Sequence, residues 1–586
     1  MSTRLPKVDA VTIGVGWTGG ILAKELAQAG LKVVGLERGR YRQTDPDWMP
    51  PNIHDELKYH SRHELIQDLS KETITFRNAR DQTALPMRQL GSFLPGDGLG
   101  GAGVHWNGVT WRFLPYDFEI RSRTVERYGE GMLPENSTLQ DWGTTWEEME
   151  PFFDRFEYTC GISGRAGNLR GEPQEGGNPF EGPRQRDFPT PPLTPSYAGT
   201  LFRDATAALG YHPFVSAAAN LSQPYTNPDG MRLGACIYCG YCERFGCEVY
   251  AKPSATITVL PVAQRTGNFE LRTHARVTRI NLNAAGDRAE SVTYVDAQGR
   301  EFEQPADIIL LTSYVLNNVR LLLHSGIGTP YNPSTGEGTV GKNYAYQAFT
   351  GCSVFFDDKT FNTFMGAGAL GMSIDDFNGD NFDHSGLDFI HGGNIAVLTT
   401  GLGPVRHRPV PPGTPQWGSA WKRAVARYYN RAWGFSVQGS VMSYRGNYLD
   451  LDPTYRGQDG APLLRMTFDW GQNERNMTQY MARVLEGIAK ELRPSQYSVN
   501  KLSEHYSIVP YQSTHNTGGA IMGADPATSV VNPFMQSWDV PNLFVPGASA
   551  FAHNSGYNPT GTVGALAYKA ADAITRRYLN DPGPLA

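Results

Sequence analysis

The sequence predicts an α/β nucleotide-binding unit joined to a second unit built on an antiparallel sheet flanked by helices, an α/β plus α+β architecture. Three observations lead there. Near the start, VTIGVGWTGGILAKELAQAG (11–30) sets a glycine turn between an apolar strand and an amphipathic helix. Residues 345–512 carry alternating segments such as GFSVQGSVMSY and NYLDLDP, the period-two pattern of an antiparallel sheet. The last stretch, NLFVPGASAFAHNSGYNPTGTVGALAYKAADAI, returns to strand, glycine turn and helix, so nucleotide-domain segments bracket the rest.

The first element is the most specific. Gly14-x-Gly16-x-x-Gly19 follows a strand and opens a helix whose apolar face carries Ile21, Leu22 and Leu26, with Gly30 as its stop. A second strand, Lys32 to Leu36, ends at Glu37. This is the dinucleotide fingerprint in its full βαβ setting. Gly14 permits the tight turn, Gly16 lets backbone approach a pyrophosphate, and Gly19 allows close helix–strand packing. The helix N-terminus favours the anionic phosphates. Glu37 is placed to accept a hydrogen bond from a ribose hydroxyl, which disfavours a 2′-phosphate.

Residues 40–95 are polar and read as irregular. From Gly96 to Gly108 six glycines fall in thirteen residues, with His105 and Trp106 just after the first five. A flexible loop would have that composition, but aromatic residues directly after the glycines argue for a loop moulded over a flat ligand. Residues 120–235 are rich in proline, charge and aromatic side chains, as an elaborated substrate or partner region would be. LRTHARVTRINL (271–282) and DIILLTSYVLNNVRLLLHSGIG (307–328) resume the strand–turn–helix pattern.

The chain as a whole narrows the field. At 586 residues it should form two or three large units. A net charge of −6 offers no basic footprint for nucleic acid. Glycine, 65 residues, is well above the usual share of about 7%, which suits a fold whose backbone approaches a cofactor at several points. No run of about 18 apolar residues is present, so no membrane span is expected. The apolar run Val8 to Val15 leads straight into the glycine turn and does not read as a secretory signal. The chain is then either cytosolic or exported with a partner that carries the signal.

Four of the six cysteines, Cys236, Cys239, Cys242 and Cys247, fall within twelve residues. Thiolates at C-x2-C-x2-C-x4-C spacing can converge on one soft metal centre. Structural zinc usually splits its ligands into two separated pairs, whereas these four share one short loop, so iron–sulfur is the favoured reading and zinc the alternative. Cys160 and Cys352 stand alone and read as small buried hydrophobes.

GVGWTGG near the start, GLGGAGVHW near residue 100, and His515 followed 43 residues later by Asn558 in NPTGT resemble the glucose–methanol–choline (GMC) flavoprotein family along essentially the whole chain. The inserted CIYCGYCERFGC resembles the flavin subunits of bacterial membrane-associated sugar and sugar-acid dehydrogenases. The resemblance implies a Rossmann-like FAD-binding domain from residues 1–118, 250–345 and 515–586, an inserted region at 119–249 carrying the cysteine loop, and a substrate-binding domain at 346–514. It implies FAD, a [3Fe–4S] cluster for which only three of the four cysteines are needed, a small signal-bearing subunit and a multihaem cytochrome c on the periplasmic face of the inner membrane. Gluconate is the favoured substrate, with fructose, sorbitol, 2-ketogluconate or glucose as alternatives. An oxygen-using oxidase and a non-catalytic flavin- or metal-binding subunit are the competing readings.

The same resemblance assigns the site. His515 is expected to be the catalytic base, a task suited to a neutral imidazole, and Asn558 to orient the substrate hydroxyl. Pro559 and Thr560 bring backbone to the pyrimidine end of the flavin. Gly100, Gly101, His105, Trp106, Asn107, Gly108, Val277, Gly547 and Ala548 complete the cofactor set. Gly547-Ala548 stands where many relatives have Asp-Ala, so that contact is expected from backbone alone. His105 has the spacing of a histidine that bonds the flavin methyl covalently in similar proteins, and packing against the ring edge is the simpler reading. His553 and Asn554 are expected to line the substrate pocket, with Tyr511 and Gln512 as weaker candidates.

Overall fold

The computed structural model describes residues 2–57, 61–88, 93–403 and 405–585. Its first sheet grows from β1 (Val8–Ile13), which feeds helix α1 (Trp17–Gln28) and returns as β2 (Val33–Leu36). Parallel pairing gives the order β3 (Phe269–Arg272), β2, β1, β6 (Glu301–Leu311), with Leu543–Phe544 parallel on the far side of β6. Ala10, Val11, Thr12 and Ile13 are all buried, so β1 shows no alternation.

Strand β6 serves two sheets. Its C-terminal half pairs Ile308 with Ala10 and Leu311 with Ile13, while its N-terminal half pairs Ser291 with Pro305 and Val295 with Glu301. The second pairing is antiparallel and continues through β5 (Ala289–Val295) to β4 (Arg276–Leu282). Strand and meander thus hold Val277 close to the glycine turn.

Helix α2 (Trp146–Cys160) starts at Thr145, whose hydroxyl accepts from Glu148 N–H, and stops at left-handed Gly161. Arg112, fully enclosed, ties it down through Glu150 and Glu157 at 2.9 and 2.7 Å. Helix α3 (Tyr197–Ala208) packs on a second sheet. That sheet is antiparallel throughout, formed by β7 (Ala348–Phe355), β8 (Gly371–Ile374), β9 (Gly393–Leu398), β10 (Ala432–Gly439) and β11 (Gln496–Val499). The order is β11, β7, β10, β9, β8, and Phe214–Val215 adds to the β8 edge. Helix α4 (Gln472–Leu492) covers it with Met477, Met481, Leu485, Ile488 and Leu492, an apolar stripe at helical spacing. Of the two alternating segments, GFSVQG (434–439) lies in this antiparallel sheet, whereas NYLDLDP runs into Tyr448–Arg456, which pairs antiparallel with Pro462–Thr467 in a separate four-stranded sheet.

Residues 40–95 are more ordered than their polarity suggested. Thr75–Arg77 pairs in parallel with Pro462–Thr467 and antiparallel with Leu85–Pro86. The strand is only three residues long, too short to display a period. Residues 58–60 and 89–92 of this stretch lie outside the described residues. The closing helix α5 (Thr560–Ala573) packs between α1 and α2. A Cβ on Gly564 would lie 2.2 Å from the Phe156 ring, which fixes how closely α5 and α2 approach.

Candidate active site

The glycine turn is built as its spacing requires. Gly14 is left-handed, and a side chain on Gly19 would stand 2.1 Å from the Gly14 carbonyl oxygen. Gly16, the N-cap of α1, has open space in front of it: the nearest atom to an added Cβ is the Gly100 oxygen, 3.8 Å away. No side chain caps α1, so its first-turn N–H groups are left for an anionic ligand. Glu37 is buried on the wall of the same cleft and accepts hydrogen bonds from Val15 N–H at 3.1 Å and Gly39 N–H at 2.9 Å. It thereby props the turn with lone pairs still available for a ribose. These features fit a dinucleotide.

One continuous cleft runs from this turn to the other end of the chain. It is lined by Gly14, Gly16, Glu37, Gly101, His105, Trp106, Asn107, Val277, Gly547, Ala548, Tyr511, His515, Asn558, Pro559 and Thr560. Sequence positions 500 residues apart thus share one wall. Gly19, Gly100 and Gly108 do not line it. Gly19 is spent on helix packing, Gly100 N–H is bonded to the Val15 carbonyl, and left-handed Gly108 turns against Asn220. Gln512 is not on the wall either.

His515 and Asn558 meet at the inner end. Asn558 Nδ2 lies 3.3 Å from His515 Nε2. The other ring nitrogen, Nδ1, bonds to Gln347 Oε1. Asn554 Nδ2 donates to the His515 carbonyl at 3.0 Å and to that of Tyr346. Burial pulls the His515 imidazole down to about 3, so it is neutral over the working range of an enzyme. Gln347 is the residue that sequence reasoning missed. It sits just before β7 and carries no motif; the bridge between Ala345 and Thr517 brings it to the histidine.

His105 lies beside the glycine loop with its Nε2 buried and without a hydrogen-bond partner, and burial lowers its imidazole to about 3. A neutral ring with a free lone pair on a cleft wall fits contact with a flavin edge. Behind it runs the cysteine loop. Arg244 N–H donates to the His105 carbonyl at 2.8 Å, and Glu243 from the same loop reaches the cleft. Lys252, enclosed by protein, donates to the carbonyls of Trp106, Cys242 and Phe245 at 2.6, 2.5 and 2.8 Å. One ammonium group therefore fastens the cysteine loop to the cleft wall.

Burial pushes the Cys236 and Cys239 thiols up to about 12 and about 11, with the other loop cysteines as charged neighbours. A metal centre here would have to displace thiol protons. Zinc with Zn–S bonds of about 2.3 Å would draw tetrahedral thiolates to about 3.8 Å of one another. Among the described residues no three cysteine sulfurs lie within 4.8 Å of each other. Cys160 and Cys352 are buried and their thiols raised, as small core hydrophobes would be.

His553 and Asn554 do not line the cleft; both are fully buried. His553 belongs to a cluster with Asp117 and His391, whose ring nitrogens lie 3.3 and 2.8 Å from Asp117 Oδ1. Metal ligation there conflicts with Trp142. Its Nε1–H donates to His553 Nδ1 at 3.1 Å, so His553 Nε2 carries the hydrogen that points at Asp117 and has no lone pair for a cation. Asn554 is spent on holding backbone.

Two family models described as GMC oxidoreductase match residues 206–348 and 443–567. The gluconate 2-dehydrogenase flavoprotein of Pantoea cypripedii is 49% identical over 100% of this chain and 96% of its own length. The fructose dehydrogenase large subunit of Gluconobacter japonicus is 24% identical over 99% of both chains. The crystal structure of pyridoxine 4-oxidase from Mesorbium loti aligns with a TM-score of 0.59 at 16% identity, covering 98% of this chain and 100% of that one, and so shares the fold. Fold, cleft and full-length identity together establish that the chain belongs to the GMC oxidoreductase family, as an FAD-dependent oxidoreductase acting on CH–OH groups.

Proposed function

We propose that this chain is the flavin subunit of a sugar-acid dehydrogenase that oxidises D-gluconate to 2-keto-D-gluconate. The observation that carries the reading is the His515–Asn558 pair, held at the inner end of a dinucleotide cleft in a chain 49% identical to a gluconate 2-dehydrogenase flavoprotein. The substrate hydroxyl replaces the direct Asn558–His515 contact, accepting from Asn558 Nδ2 and donating to His515 Nε2. His515 removes the hydroxyl proton. Asn558 holds the oxygen so that the C–H bond faces the wall formed by Pro559, Thr560 and the His105 loop. FAD, held by the glycine turn, Glu37 and the His105 loop, would supply the hydride acceptor for that carbon.

Three of the four loop cysteines are proposed to hold an iron–sulfur cluster, [3Fe–4S] in type, which would supply a single-electron route towards a multihaem cytochrome c and quinone. Support comes from the donor set and from the fastening of the loop to the cleft wall by Lys252. A small subunit bearing the export signal would take the chain to the periplasmic face of the inner membrane. Among the described residues no helix is long and apolar enough to cross a membrane, so attachment falls to partners.

Low-temperature electron paramagnetic resonance tests substrate and relay together. Anaerobic enzyme is expected to show an oxidised [3Fe–4S] signal that gluconate bleaches. A signal that gluconate leaves untouched would overturn gluconate, and a protein without iron would overturn the relay in favour of an oxidase. The free Nε2 of His105 suits either a covalent bond to the flavin methyl or a packing contact. Acid precipitation separates them: yellow protein in the pellet marks the covalent form, free flavin in the supernatant the other.

A further inference from the structure

Gln347 is fully buried, and every polar atom of its amide is committed. Nε2 donates to the Ser555 carbonyl at 3.0 Å and to the Tyr557 carbonyl at 3.1 Å. Carbonyl oxygens only accept, so the amide cannot be turned round without setting its oxygen against two others. Oε1 must then face His515 Nδ1, and because Oε1 carries no hydrogen, the hydrogen between them belongs to Nδ1. The lone pair is thereby left on Nε2, the nitrogen that meets Asn558 and the cleft. The carbonyls that fix the amide come from the segment leading straight into Asn558, while Gln347 itself lies just ahead of β7. Three distant parts of the chain are joined at one side chain.

We propose that Gln347 is the positioning residue that holds His515 in the Nδ1–H tautomer and sets its distance from Asn558. The inference rests on the reading of His515 as the base. A carboxylate at this position would also select the tautomer, but it would raise the basicity of the ring as an opposite charge does. The neutral amide selects the tautomer without adding charge. Removing it frees the imidazole to rotate and to take the other tautomer, with Nε2–H facing the substrate and no lone pair to receive its proton.

The test is anaerobic stopped-flow bleaching of the flavin by the substrate that reduces the wild-type enzyme, followed from pH 4 to pH 9. Gln347→Met keeps the length and apolar bulk but removes the acceptor; its limiting bleaching rate should fall roughly 10–100-fold with the half-saturating concentration little changed. Unaltered bleaching in Gln347→Met, or a loss that falls on the half-saturating concentration and not on the limiting rate, would overturn the proposal. His515→Asn run in parallel keeps the two readings apart. Rapid bleaching there removes the base itself, whereas slow bleaching there with rapid bleaching in Gln347→Met removes only the role of Gln347.

Discussion

His515→Asn should slow flavin reduction by substrate by roughly 10²–10⁴-fold, the usual worth of a positioned general base, while leaving FAD binding intact. Asparagine can still fill much of the space and bond to Gln347, but no nitrogen of an amide accepts a proton. Stopped-flow bleaching measures the loss directly, and a decrease of less than tenfold would show that the hydroxyl proton leaves by another route. The pH dependence has a definite sign. Burial holds His515 and His105 down to about 3, so both are neutral in the native state where the unfolded chain, with ordinary histidines near 6.5, binds protons. Stability from these two groups is complete above about pH 6.5 and is lost as pH falls towards 3. Activity should therefore fail in acid through unfolding before the base itself is titrated. Matching loss of activity and of near-ultraviolet circular dichroism between pH 5 and pH 3 would bear this out.

The nucleotide half of the cleft was legible because its signals are local. Gly14, Gly16, Gly19 and Glu37 lie within 24 residues, and each answers to a steric demand that a sequence displays: a left-handed turn, an open approach, a helix pressed against a carbonyl. His515 and Asn558 were legible for a different reason, as a pair at a recognisable spacing in a resembling family. What stayed hidden depends on register. Gln347 reaches His515 because the segment just ahead of β7 pairs Ala345 with Thr517, a bridge between residues 172 positions apart. His553 was misread because proximity in sequence to Asn558 was taken for proximity to the substrate. Trp142 and Asp117, both more than 400 residues away, enclose it instead. Lys252 gave no hint of its task either, since its three acceptors are backbone carbonyls, which leave no mark in a sequence.

Replacing Cys239 and Cys242 together by alanine should uncouple the two halves of turnover. Only two loop thiols would remain, fewer than the three that a [3Fe–4S] centre needs, so the paramagnetic signal should vanish. Substrate should still bleach the flavin at close to the wild-type rate, because none of the four cysteines lines the cleft. Transfer to a c-type cytochrome, which is too large to enter the cleft, should fall at least about tenfold, while a small dye able to reach the flavin should restore turnover. The loop itself should stay docked. Lys252 grips the Cys242 carbonyl and not its sulfur, and Arg244 is bonded to His105 through backbone, so both attachments survive the change of side chain. That separation of backbone fastening from side-chain chemistry makes the experiment decisive. A variant that bleaches normally and still reduces the cytochrome would show that the thiols carry no electrons. A variant that fails to bleach would show instead that the loop shapes the cleft through its side chains, and the relay would then have to be sought with Cys236 and Cys247 replaced one at a time.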